Sequence, residues 1–222
     1  MARAFLITGT APRVGKTMVG CALAFAFKVR AMCVGVLKPV QTGCAIGAGG
    51  DLILEDANSL IAAASANLKP DIVSPYRYRS ALAPAAAALA DNAGAPDFEA
   101  IVRTCQEMIQ ISDVVLVEEA GGLAAPIDWE HTWADVGRAC GLELIMVAAN
   151  RAGFISAATT TLDYAAHRGV SVRGFILNAL DAAASATVAR DAEFLRRATG
   201  ARCLGTVRFK EPLALNIVEQ LL

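Results

Sequence analysis

The segment with the clearest chemistry runs over residues 9–17 and reads GTAPRVGKT. A Gly-Lys-Thr triplet that follows an apolar run and opens a helical pattern is typical of a phosphate-binding loop. Gly15 lets the backbone approach a phosphate, whose charge is attracted by successive N–H groups and by the helix N-terminus. Lys16 supplies a cation to the outer phosphates, and the hydroxyl of Thr17 is a ligand for Mg²⁺. The usual pattern has a first glycine where Thr10 stands, so this loop is a variant.

Two further groups that suit a magnesium–nucleotide site follow short apolar runs. Residues 114–117 precede Glu118 and Glu119, and a carboxylate that ends a buried strand is costly unless it is paired or metal-bound. Strand alternation predicts that one carboxylate of this pair points away from the site, and we assign the metal to Glu118. Lys38 ends another apolar run and is expected to face the same crevice, because ligands bind at the carboxyl ends of parallel strands.

The elements that must position these groups alternate along the chain, with short apolar runs that predict strands and longer segments that predict helices. Alternation of this kind indicates the α/β class: a single doubly wound, mostly parallel sheet with helices on both faces, P-loop NTPase-like. Asp97 is the start signal of the third helix, and Gly169 and Gly200 end the last two. The predicted strands are residues 4–8, 33–37, 114–117, 144–148, 172–177 and 204–207. The predicted helices are residues 16–29, 53–64, 98–110, 156–168 and 185–199, followed by an apolar tail at 213–222.

Composition bounds the classes of protein to which the chain can belong. Of its 222 residues 55% are hydrophobic and 18% are charged, which excludes a disordered chain. Twenty Lys and Arg against 21 Asp and Glu give a net charge of −1, which argues against nucleic-acid binding. No apolar stretch reaches the roughly 18 residues of a membrane span, and the first residues are too few for a signal peptide. We expect one domain over residues 1–222, cytoplasmic, with neither a membrane nor a nucleic acid as partner.

The cysteines and histidines argue against several other kinds of site. Six cysteines are scattered without a CxxC pair, which argues against a zinc site, a redox dithiol and a disulfide framework. Five are predicted to be small apolar core residues, whereas Cys44, in the glycine-rich loop 43–50, is expected to be exposed. Two histidines, His131 and His167, leave little for a histidine-centred triad or a metal cage.

Three motifs together resemble those of the dethiobiotin synthetase family. They are GTAPRVGKT at residues 9–17, KPVQTG at 38–43 and VEEAGG at 117–122. The phosphate loop alone is unspecific, but the order, spacing and length agree over essentially the whole chain. The resemblance implies that CO₂ adds to an amine of 7,8-diaminononanoate to give a carbamate, which then accepts the γ-phosphate of ATP. The second amine displaces phosphate and closes the ring.

The resemblance also implies roles for individual residues. Lys16 and Lys38 would be the catalytic groups, and Thr42 would contact the diamine. Asn178 would read the base of the nucleotide. The residues implied to hold Mg²⁺ are Thr17, Asp56 and Glu118. The residues implied to bind ATP with its metal are Arg13, Val14, Gly15, Lys16, Thr17, Met18, Asp56, Glu118, Glu119, Ala120, Gly121 and Asn178. Phosphoryl transfer depends mainly on positioning and electrostatic stabilisation, which two lysines and a metal supply without histidine.

Departures from the family pattern keep other functions open. They are found at Ala11, Pro12, Arg13, Ala85, Glu119 and Ala179. The main alternative is therefore a divergent P-loop paralogue that acts on another amine or carboxylate. A ParA-like regulatory ATPase is a second alternative, although that group usually carries an extra lysine early in the loop. A cobyrinic acid amidating enzyme is disfavoured, because the chain is too short to hold a glutaminase domain as well.

The apolar composition and the resemblance both indicate a homodimer. Apolar surface that one core cannot hide commonly lies in a subunit interface, and dethiobiotin synthetases are homodimers whose diamine site lies at the subunit boundary. The segment 120–133, which contains Gly121, Gly122, Pro126 and Trp129, is the stretch expected to reach the neighbouring subunit.

Overall fold

A parallel sheet forms the centre of the computed structural model, which describes residues 2–222. The strands in chain order are β1 (Arg3–Gly9), β2 (Val34–Leu37), β3 (Val40–Gln41), β4 (Tyr76–Arg77), β5 (Val114–Glu118), β6 (Glu143–Ala149), β7 (Val172–Asn178) and β8 (Cys203–Val207). Six of them make the main sheet in the order β2-β5-β1-β6-β7-β8, and all its neighbouring pairs run parallel. The short strands β3 and β4 pair with each other beside it. The carboxyl ends of β1, β2, β5 and β7 therefore meet at one edge.

The helices connect these strands. They are α1 (Lys16–Lys28), α2 (Glu55–Ala64), α3 (Pro70–Val73), α4 (Pro84–Ala90), α5 (Phe98–Ile111), α6 (Trp133–Cys140), α7 (Phe154–His167), α8 (Ala182–Thr199) and a 3-10 helix (Leu215–Gln220). Asp97 caps α5 by accepting the Ala100 N–H at 3.0 Å, and Gly200 ends α8 in a left-handed conformation, as predicted. Among the described residues, no helix is both long and apolar enough to cross a bilayer.

Alternate residues of the central strands enter two different cores, one on each face of the sheet. Phe5 and Ile7 of β1 pack in the core that includes α1. Leu6 packs in the opposite core, which includes Ile101 and Met108 of α5. Burial on both faces explains the unbroken apolar runs of the sequence. The prediction of helices on both faces of a parallel sheet is confirmed.

Some short elements were absent from the prediction. The helix α4 is an alanine run without apolar periodicity, and β3 and β4 are two residues long. A signal for α6 was present, because Thr132 and Asp135 form a capping box. The apolar tail contains the 3-10 helix, and its Ile217 and Val218 are buried in the same core as α1.

The predicted exposure of Cys44 is wrong. Gly43 adopts φ +75°, and the Cys44 N–H then donates to the carbonyl of Tyr78 at 2.9 Å. This pairing draws the residue into a small core with Leu54 and Val73. The exposed cysteine is Cys33, just before β2.

Candidate active site

The phosphate loop, residues 10–15, joins the end of β1 to the start of α1. Gly15 has φ +97°, a conformation that other residues rarely adopt, and a Cβ there would overlap Asn178 Nδ2. This nitrogen donates to the carbonyl of Val14 at 2.9 Å, so the end of β7 supports the loop. Within the described residues no side chain caps α1. Its first backbone N–H groups are therefore available to an anion.

A buried cluster of charges lies beside the loop. Lys38, which follows β2, donates from Nζ to Glu118 Oε1 at 2.5 Å, and the same nitrogen lies 3.1 Å from Asp56 Oδ2. Thr17 Oγ1 donates to the same oxygen of Glu118 at 2.8 Å. Lys38 is 4% exposed and Glu118 1%, whereas the side chain of Asp56 is 40% exposed. The structure thus brings together four residues that the sequence predicts for one site.

The carboxylates of Glu118 and Asp56 raise the pKa values of two neighbouring groups, Lys38 and Cys21. Burial is the largest influence on Lys38 and acts to lower its pKa, but Glu118 and Asp56 together raise the pKa above its usual value. The ammonium group therefore stays charged at neutral pH. Cys21, one turn after the start of α1, has its pKa raised to about 11 by burial and then by the same two carboxylates.

The residues present fit a magnesium ion. Over residues 2–222, the ion pairs of Glu118, Glu119 and Asp56 are with Lys16 and Lys38, so three carboxylates share two cations and the cluster carries an excess of negative charge. Among the described residues, Glu118 Oε2 is buried and has no hydrogen-bond partner. Carboxylate and hydroxyl oxygens are the hard donors that Mg²⁺ prefers, and one or two carboxylates together with phosphates are its usual ligands.

Glu119 does not point away from the site, so that prediction is wrong. Its carboxylate is fully buried and accepts the N–H of Gly9 at 2.9 Å, the hydroxyl of Thr8 at 3.3 Å and the N–H of Gly122. Lys16 Nζ lies 3.4 Å from Oε1. The alternation rule fails at Glu119 because β5 ends at Glu118, and the carboxylate of the next residue is held by the N–H groups of Gly9 and Gly122.

The other predicted residues take different places around the loop. Arg13, with φ +58°, and Met18, 40% exposed, lie on the surface of the phosphate-loop region. Ala120 is buried, and its carbonyl accepts the Trp133 Nε1–H at 2.9 Å. Thr42 follows β3 and is half-buried.

A cavity of about 650 Å³ opens beside the loop. Its walls are residues 9–12, residues 121–125, Ala83, and a stretch of α7 that includes Thr160 and Tyr164. Small apolar side chains dominate the lining. The cavity can therefore take a hydrocarbon chain directly beside the phosphate loop.

Gln41 is a contributor that the sequence reasoning missed. Its side chain is buried, and Oε1 accepts the N–H of Ala57 at 3.2 Å. This bond ties the first turn of α2 to β3 and so fixes Asp56 next to Lys38. A glutamine within KPVQTG was a visible signal, but its partner is set by the tertiary fold.

The parallel sheet, the loop before α1 and the lysine–carboxylate cluster define the class: a P-loop nucleotide-binding protein. A family model described as an AAA domain matches residues 3–215. A protein from Aromatoleum aromaticum named ATP-dependent dethiobiotin synthetase is 35% identical over 206 residues, 92% of this chain and 90% of that protein. One of the same name from Rhodopirellula baltica is 32% identical over 223 residues, 94% and 85% of the two chains. The chain belongs to the ATP-dependent dethiobiotin synthetase family.

Solved structures agree on the fold. The septum site-determining protein MinD of Pyrococcus horikoshii, in complex with Mg-ADP, has a TM-score of 0.56 at 18% identity. The match covers 94% of this chain and 82% of the MinD chain. The signal recognition particle 54 kDa protein of Aeropyrum pernix, in complex with GDP, has a TM-score of 0.54 at 18% identity. This match covers 96% of this chain and 43% of that protein. The predicted fold class is confirmed, and so, through the family, is the prediction of an ATP-dependent ligase of biotin biosynthesis. The ParA-like alternative is less supported.

We predict that Glu118, and not Glu119, serves the metal. In Glu118→Gln, the Mg²⁺ concentration that gives half-maximal tightening of ADP binding should rise at least about tenfold, because a charged oxygen ligand is lost. In Glu119→Gln this concentration should stay within about threefold, since that carboxylate is occupied by backbone N–H groups. Isothermal titration calorimetry measures both. A larger rise in Glu119→Gln than in Glu118→Gln would show that Glu119, and not Glu118, is the metal ligand.

Proposed function

We propose that this chain converts 7,8-diaminononanoate, CO₂ and ATP into dethiobiotin, ADP and phosphate, with Mg²⁺ as cofactor. The observation that carries the proposal is the buried ammonium group of Lys38. It lies beside the phosphate loop between two carboxylates, at 2.5 Å from Glu118 and 3.1 Å from Asp56. The phosphate loop thus has, beside Lys16, a second fixed cation, Lys38, which can stabilise a second anion such as a carbamate.

The nucleotide would lie along the loop and α1. Residues 13–18 would hold the phosphates through backbone N–H groups and Lys16. Thr17, Asp56 and Glu118 would hold Mg²⁺, which when bound neutralises charge between the phosphates. Asn178 supports the loop at Val14 and would face the base with the rest of its amide.

The proposed reaction passes through anions, the carbamate and the transferring phosphate, which the protein must stabilise. Addition of an amine to CO₂ forms an N–C bond, releases a proton and leaves a carbamate anion. Transfer of the γ-phosphate breaks the bond between Pγ and the bridging oxygen of ATP, releases ADP and forms an O–P bond at that anion. Attack of the second amine on the carbamate carbon then forms the second N–C bond, breaks the C–O bond to phosphate and releases phosphate and a proton. Lys38 would stabilise the carbamate and Lys16 the transferring phosphate, since fixed charges in a site of low dielectric stabilise such transition states strongly.

The cavity beside the loop suits the carbon chain of the diamine. It is lined mainly by alanine and glycine, which leave room for methylene groups. Thr42 would hold the amine end. Within the same proposal the protein is one domain over residues 1–222 and acts in the cytoplasm, where ATP is available.

We predict that phosphate release requires the diamine, bicarbonate and Mg-ATP together and is lost in Lys16→Ala. Removal of this cation should raise the barrier by about 3 kcal/mol, a decrease in rate of roughly a hundredfold, in a protein that keeps its fold. Its thermal unfolding temperature should fall, because Lys16 also neutralises the buried carboxylate of Glu119. Lys69→Ala is the matched control, because Lys69 is exposed at the start of α3, outside the site. Release that depends on a macromolecule instead of the diamine would overturn the proposal in favour of a regulatory ATPase. Near-wild-type activity of Lys16→Ala would show that residues 9–17 are not the loop that binds the phosphates of ATP.

We also predict a homodimer. Segment 120–133 packs partly on its own core, because Leu123 and Ile127 are buried, but Trp129 is 81% exposed. A large exposed aromatic side chain suits an interface. Light scattering coupled to size exclusion should give twice the 23.1 kDa chain mass, and Trp129→Ser should lower the mass and the activity together. A fully active particle of one chain mass would contradict the dimer.

A further inference from the structure

The two loop walls of the diamine cavity are joined through one side chain. The first wall, residues 9–12, begins the phosphate loop, and the second, residues 121–125, follows β5. Glu119 accepts the N–H of Gly9 with Oε1 and the N–H of Gly122 with Oε2. Among the hydrogen bonds of the described residues, these two connect the walls.

The carboxylate of Glu119 is fully engaged inside the protein. Oε1 accepts a backbone N–H and the hydroxyl of Thr8 and faces Lys16, while Oε2 accepts the second backbone N–H. A carboxylate offers about four lone-pair sites, and the side chain is 0% exposed. Because the side chain has no exposed surface, neither oxygen is open to a substrate or to a metal ion in the cavity. The neighbouring Glu118 differs, because its Oε2 has no partner among the described residues.

We propose that Glu119 is a positioning residue that fixes the two walls of the cavity relative to each other and to Lys16. This inference rests on the proposed function, because it assigns the aligned ligand as the diamine. With both walls fixed, the reacting end of a ligand in the cavity is held at a constant distance from the transferring phosphate. Misplacement of about 1 Å is enough to lower such rates a hundredfold.

The nucleotide side should depend less on Glu119. Its negative charge orients Lys16, which favours phosphate binding, but the same charge repels the phosphates. The two effects oppose each other. Removal of the charge is therefore expected to change ADP affinity little and diamine affinity much.

The test compares the wild type with Glu119→Gln. An amide keeps the volume but, in either orientation, presents NH₂ to one of the two backbone N–H groups and so breaks the connection on one side. Hydrogen exchange of the peptide that contains residues 121–125 should become at least about tenfold faster without any ligand. By calorimetry, diamine binding to the Mg-ADP complex should weaken at least about tenfold, while ADP binding stays within about threefold.

Glu107→Gln is the matched control, because it makes the same chemical change at an exposed site of α5, outside the cavity and outside segment 120–133, and it should behave as the wild type. Glu119→Ala removes the acceptor of both hydrogen bonds and should show the same split between the two ligands if Glu119→Gln folds poorly. Unchanged exchange of residues 121–125, or equal weakening of both ligands as in a purely structural defect, would overturn the inference. A wild type that binds ADP but not the diamine would overturn the proposed function, and the exchange experiment would still decide whether Glu119 joins the walls.

Discussion

The buried ion pair between Lys38 and Glu118 is the interaction on which the site depends. Two charges removed from water cost several kcal/mol each, and loss of one partner from such a pair costs about 3–5 kcal/mol. The pair is stabilised here because Asp56 also contacts the ammonium group of Lys38, and the hydroxyl of Thr17 also donates to the carboxylate of Glu118. Through these contacts the end of β2, the end of β5, the first turn of α1 and the first turn of α2 are held together. The site is assembled by its own electrostatics as well as by the hydrophobic cores beneath it.

The two adjacent glutamates show how one position in the chain decides between structure and chemistry. Glu118 is the last residue of β5 and has one oxygen, Oε2, without a hydrogen-bond partner in the described part of the chain. Glu119 is the first residue after the strand, and the backbone N–H groups of Gly9 and Gly122 donate to its two oxygens. The first carboxylate can therefore serve a cation, and the second keeps the surrounding loops in place.

Much of this arrangement could be predicted from the sequence, because it depends on local patterns. Apolar runs marked the central strands, and Lys38 and Glu118 were recognisable as charges at strand ends that share an edge. The orientation of Glu119 was not predictable from alternation, since the strand ends one residue earlier. Gln41 was missed because its bond to Ala57 joins elements whose approach is set by the fold. Cys44 was misassigned because its pairing with Tyr78 draws a glycine-rich segment inward.

We propose that the fixed cation of Lys38 stabilises an anionic carbamate. The most direct measurement is the ¹³C NMR spectrum of the protein with Mg-ADP, 7,8-diaminononanoate and ¹³C-bicarbonate, compared with that of Lys38→Met under the same conditions. We expect a bound carbamate signal in the wild type that falls at least about tenfold in the variant, while calorimetry shows Mg-ADP still bound. A carbamate signal of equal strength in both proteins would contradict it.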